Sequence, residues 1–180
     1  MKTKTINLYT LEELSEDSRE KAFSKWKEDD DYHFLSDDLN EKLHELLQEY
    51  GIKDTNDTSK PGTKPTEVQY SLSSCQGDGV MFEGKYIYTY NFASYLIEIE
   101  HSGHYYHSYS KSYATSLEGE EVDNWHEVEK AFDVIYQKIC KELERYGYDY
   151  IENEDSMESF TGSCEANEYT FEANGVMNNT

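Results

Sequence analysis

Between Glu67 and Ser116 the chain reads EVQYSLSSCQGDGVMFEGKYIYTYNFASYLIEIEHSGHYYHSYSKSYATS, almost all of it β-type sequence. Aromatic and β-branched residues dominate, with serine and threonine between them and glycine as punctuation. Tyr86, Tyr88, Tyr90 and Phe92 occupy alternate positions, so one strand places all four on one face. Tyr105, Tyr109 and Tyr113 share a second alternating register, with His107 and Lys111 between them. Leu96, Ile97 and Ile99 carry a third strand. The connections are too short for crossover helices, so three or four sequential strands form an antiparallel meander.

Helical sequence flanks this block. Ser15 is positioned to cap a helix through Arg19 to Glu28, with Glu16 and Asp17 in its first turn and Leu14, Ala22, Phe23 and Trp26 as its buried stripe. Ser36 is positioned to cap a second helix whose Leu39, Leu43, Leu46 and Leu47 repeat at helical spacing up to Gly51. Lys53 to Thr66, with Pro61, Gly62 and Pro65, reads as a loop. After the meander, Asp123 caps a long helix over 124–146. Its stripe is Trp125, Val128, Phe132, Ile135, Ile139, Leu143 and Tyr146, and Gly147 is its stop. A short helix with Met157 and Phe160, a last strand over 168–172 and an Asn174-Gly175 turn complete the chain. The order predicts an α+β fold, an antiparallel meander sheet with helices packed on one face, in a single domain over 1–180.

Charge narrows the function. Thirty-eight acidic residues against 16 basic ones leave a net charge of -22 on 180 residues. Such a chain is a poor direct nucleic-acid binder, because phosphate neutralisation needs Lys and Arg. It is equally unsuited to anionic membrane surfaces. Seventeen tyrosines, seven phenylalanines and two tryptophans supply enough buriable surface to exclude disorder. Three cysteines, an odd number, point to a reducing cytoplasm rather than a disulfide scaffold. Lys2 and Lys4 have no apolar run behind them, so the start does not read as a signal peptide, and no segment has the length of a membrane helix.

Cys75-Gln76-Gly77-Asp78-Gly79 is the sharpest local motif. Gly-Asp-Gly suits a tight turn or bulge with positive φ, which makes the motif a hairpin element. Two functional readings stand beside that one: Gln76 or Asp78 as a polar contact at a pocket edge, and Cys75 as a nucleophile, which needs a base or a cation nearby. His101, His104 and His107 are three apart, a ligand spacing in a helix but not in a strand. No common metal or nucleotide signature is present, and no metal or cofactor is expected. The tyrosine ladder reads either as core or as a stacking platform. Two acidic groups, Asp29, Asp30 and Asp31 with Asp37 and Asp38, and Asp149, Glu152, Glu154 and Asp155, are either solvated surface or contact residues.

Tyr9 to Ser15 (YTLEELS), Lys21-Ala22, Trp26, Tyr70 to Ser73, Cys75 to Gly79 and Phe82-Glu83-Gly84 resemble a family of small phage- and prophage-encoded proteins. That family shares an ELS-type helix start and an SxxQGDGxxFxG segment, and Ala166 to Phe171 is similar to its end. Some of its members are labelled antitoxins. The resemblance implies a phage origin and supplies no catalytic residues. Origin and charge together lead to the main expectation. The chain is a non-enzymatic inhibitor, anti-CRISPR-like or DNA-mimic-like, that binds a basic, nucleic-acid-handling host defence protein through its acidic surface in the host cytoplasm. The alternatives are a sponge for a signalling nucleotide, an antitoxin-like binding protein, and an enzyme that uses Cys75 with a histidine brought near by folding.

Overall fold

The computed structural model describes residues 6–29, 32–55, 66–117 and 123–178. The helices are α1 (Glu16–Asp29), α2 (Leu35–Glu49), α3 (Trp125–Glu154) and α4 (Met157–Ala166). The strands are β1 (Lys53–Asp54), β2 (Val68–Ser71), β3 (Gly79–Phe82), β4 (Gly84–Tyr90), β5 (Ala93–His101), β6 (Lys111–Ser116), β7 (Thr170–Phe171) and β8 (Met177–Asn178). The fold is α+β with an antiparallel sheet. Residues gather into two compact units, Phe34–Tyr148 and Met1–His33 with Asp149–Thr180, the boundary falling within α3.

In the Phe34–Tyr148 unit, β4, β5 and β6 form the expected meander. The sheet order is β1-β4-β5-β6, so Lys53–Asp54 pairs as an edge strand where a loop was expected. Strands β2 and β3 stand apart as a two-stranded hairpin. Pairing sets Tyr86 opposite Ile97, Tyr88 opposite Tyr95 and Tyr113 opposite Ile99, which gathers these side chains on one face. Helix α3 lies across that face. Phe132 packs edge-on against Tyr88 and Tyr113, at 5.4 and 5.7 Å between ring centroids. Tyr136, fully buried, donates to the Phe82 carbonyl and accepts from the Phe82 amide. Helix α2 buries Leu35, Leu39, Leu43, Leu46 and Leu47, and Asn40 accepts from the Val68 amide at 2.8 Å.

Several local expectations are corrected. Helix α2 begins at Leu35 with Phe34 as its cap residue, which puts Ser36 inside the helix; burial of Leu35 outweighs the serine cap. The Asn124 carbonyl, rather than Asp123, receives the first α3 amides. Phe92 leaves the tyrosine face because Asn91 and Phe92 form the two-residue turn between β4 and β5, both with positive φ, and Phe92 is fully exposed. Tyr105 and Tyr109 lie in the loop before β6, not in a strand. Ile135 is half-buried and Trp125 exposed, while Tyr136 takes the core position. Gly147 does not stop α3, which continues to Glu154.

The second unit has its own core of Leu11, Leu14, Ala22, Phe160, Cys164 and Phe171. Ser15 accepts from the Ser18 amide at the start of α1, as expected. The last strand pairs in a hairpin, β7 with β8, through the Asn174-Gly175 turn. Among the described residues no helix is long and apolar enough to cross a membrane.

Candidate functional site

The Cys75–Gly79 motif connects β2 to β3, and Asp78 is its centre. One carboxylate oxygen accepts from the Ser73 amide (2.8 Å), the Cys75 amide (2.9 Å) and the Tyr148 hydroxyl (2.6 Å). The other accepts from the hydroxyls of Ser71 and Ser73 and from the Cys75 thiol. The Tyr148 hydroxyl foremost, helped by Cys75 and Ser73, holds the carboxyl well below the usual carboxylate range. The same bond pushes Tyr148 up to about 12. Asp78 therefore organises its own turn, which is the hairpin-element reading of the motif.

The two glycines serve closeness and not positive φ; the left-handed residue of this turn is Ser74. A side chain at Gly77 would stand 3.1 Å from the Tyr105 ring, and one at Gly79 would stand 2.7 Å from the His107 imidazole and 2.9 Å from the Tyr106 carbonyl. The loop over 102–110 is thus packed directly on the turn. Its tyrosines Tyr105, Tyr106 and Tyr109 face solvent. Alternation in the sequence suggests a strand here, and the Ser-Gly punctuation at Ser102-Gly103 is the signal that marks a loop instead.

Cys75 is exposed, and its thiol donates to a carboxylate. Gln76 is exposed at the tip of the turn. His101 contacts the Tyr105 carbonyl at 3.2 Å with its ring 5.6 Å from that of Tyr106 and tilted to it, and His107 lies against Gly79. Among the described residues no group of His, Cys, Asp and Glu is arranged to hold a metal ion.

Beneath the loop, Lys111 is almost fully buried. Its ammonium pairs with Asp133 at 2.7 Å and donates to the Ser108 carbonyl. It also lies 4.6, 5.2 and 5.8 Å from the ring centroids of Tyr136, Tyr113 and Tyr109. Burial works against the charge on Asp133, but hydrogen bonds from Lys111 and Tyr113 outweigh it and keep its carboxyl below the ordinary value.

The acidic residues distribute unevenly. Asp30, Asp31 and the Asp29 side chain lie outside the described residues. Asp37 is exposed and Asp38 half-buried in the first turn of α2. Asp149 and Glu152 are exposed and Glu154 is half-buried. Asp155 is engaged internally, pairing with Lys27 at 3.4 Å and accepting from the Tyr32 hydroxyl at 2.9 Å. Asp37 and Asp38 belong to one compact unit, and Asp149 to Asp155 to the other. A further acidic row lies along α2. Asp37, Glu41, Glu45 and Glu49 recur every fourth residue, all exposed, on the side of α2 opposite its buried leucines. Each step along the helix is about 6 Å.

No family model, no curated protein and no solved structure matches the chain. The candidate surfaces therefore rest on their own chemistry: a solvent-facing carboxylate row on α2, and an aromatic loop seated on a self-satisfied turn.

Proposed function

We propose that this protein is a non-enzymatic inhibitor that binds a basic, nucleic-acid-handling protein through its acidic surface, as a phage-encoded counter-defence protein would. The observation that carries the reading is the α2 row of Asp37, Glu41, Glu45 and Glu49, held in place by five buried leucines on the opposite face. A packed helix holds the backbone that carries these carboxylates, which limits the ordering cost of binding to the side chains themselves. A row of negative charge at ~6 Å intervals engages a Lys/Arg groove shaped for phosphates and steers association toward it. Lys42 partly neutralises the row, pairing with Glu45 at 2.8 Å and acting more weakly on Glu49.

Capture of a partner from bacterial lysate, followed by binding at graded salt, tests the reading. Binding is expected to weaken at least tenfold between ~50 and ~200 mM salt, as contacts that replace phosphates do. Charge reversal at Asp37→Lys with Glu41→Lys lowers affinity by about tenfold or more, while Glu16→Lys with Glu20→Lys on α1 leaves it unchanged. Salt-independent binding, or equal loss from both pairs, overturns the α2 mechanism.

A further inference from the structure

A groove of about 490 Å³ opens between the 102–110 loop and the exposed side of α3. Its size suits a small molecule. Gln137 builds one wall by clamping the loop. Its side-chain oxygen accepts from the Ser108 hydroxyl at 2.6 Å, and its amide donates to the Ser108 carbonyl at 2.9 Å. The clamp presents Tyr109, whose ring has the buried Lys111 ammonium 5.8 Å from its centroid and is otherwise 81% exposed. The opposite end is Tyr148, fixed by its bond to Asp78.

Two cations and one carboxylate share the groove. Lys141 and Arg145 are one helical turn apart and both exposed. Lys141 makes no ion pair among the described residues; Arg145 bonds Glu142 through one terminal nitrogen and keeps its other donors. Glu144 is half-buried in the same groove. A simple anion meets the Glu144 carboxylate here, and a simple cation meets Lys141 and Arg145. The arrangement suits a ligand with a flat ring, a hydrogen-bond-donating edge and a separate negative group.

We infer that this groove binds a nucleoside monophosphate whose base donates from its edge, with guanine the best fit. The base stacks on Tyr109, its adjacent N–H and amino donors meet the Glu144 carboxylate, and its phosphate lies at Lys141 and Arg145. The acidic row on α2 takes no part, so this inference stands or falls independently of the partner reading above.

Calorimetric titration of the full-length protein with GMP, IMP, guanosine and inorganic phosphate tests it. GMP is expected to bind with Kd below about 1 mM. IMP, which lacks the amino group, and guanosine, which lacks the phosphate, each bind about tenfold more weakly, and inorganic phosphate weaker still. Tyr109→Ala and Lys141→Glu, both at exposed positions, each cost about tenfold in GMP affinity with an unchanged far-ultraviolet circular dichroism spectrum. Glu144→Gln abolishes the preference for GMP over IMP. Absence of saturable GMP binding, phosphate binding as tight as GMP, or indifference to Tyr109→Ala overturns the assignment.

Discussion

Asp78 carries more of the local structure than any other polar residue in the central block. Six donors converge on its carboxylate, so the charged form is the one the turn is built around. The consequences for pH follow from the directions of the two shifts. Asp78 is depressed, so its contribution is present above the unfolded carboxylate range near ~4 and is lost as pH falls through its folded value. Tyr148 is raised, so its contribution is complete below ~10 and is lost as pH rises toward about 12. Asp78→Asn keeps the shape but cannot accept all six bonds. It is expected to lower stability and to return the Tyr148 phenol toward ~10. The difference between parent and Tyr148→Phe absorbance titrations isolates that one phenol among 17 tyrosines. An ordinary titration of Tyr148 in the parent would refute the bond. In the sequence Asp78 reads first as a turn residue and second as a pocket contact. Only the six donors, most of them within the turn and one 70 positions away, separate the two.

At the level of elements, α3 shows where periodicity succeeds and where glycine misleads. Val128, Phe132, Ile139 and Leu143 are spaced for one face, and all are buried. Gly147 reads as a stop because glycine ends many helices. Here it is a contact: a side chain there would meet the end of Leu72 head-on and stand 3.6 Å from Leu39. The helix continues because a small residue lets the 72–78 turn approach. Gly147→Ala gains about 1 kcal/mol of helix propensity and displaces only the flexible tip of Leu72, so its net effect is expected within about 1 kcal/mol of parent. Gly147→Val adds bulk against both leucines and is expected to destabilise by about 1–3 kcal/mol. Urea unfolding of the two variants checks the order; equal stability of Ala and Val variants would contradict the contact.

For the whole molecule, net charge sets the behaviour. A charge of -22 on 180 residues is self-repulsive, and the described ion pairs relieve it only locally. Raising salt from ~20 to ~500 mM is expected to raise the unfolding temperature by about 3–6 °C, equivalent to ~1–2 kcal/mol at this size. Below pH ~4 stability is expected to fall with pH, because Asp78 and Asp133 are both depressed and their contributions disappear on protonation. An unfolding temperature that added salt leaves unchanged or lowers would show that charge repulsion does not govern stability.

The fold class, the meander, the leucine face of α2 and most of the α3 stripe are legible in the chain before it folds. All of these follow from periodicity, which depends only on backbone geometry and on keeping apolar surface from water. Folding settled the rest. It turned Phe92 out through a two-residue turn, lifted Tyr105 and Tyr109 into a loop and engaged Asp155 with Lys27 and Tyr32. It also brought Tyr148 to Asp78 and set Tyr109 beside Lys141 and Arg145. The partners in each of these last groupings are far apart in the chain, and no local spacing encodes which of them meet.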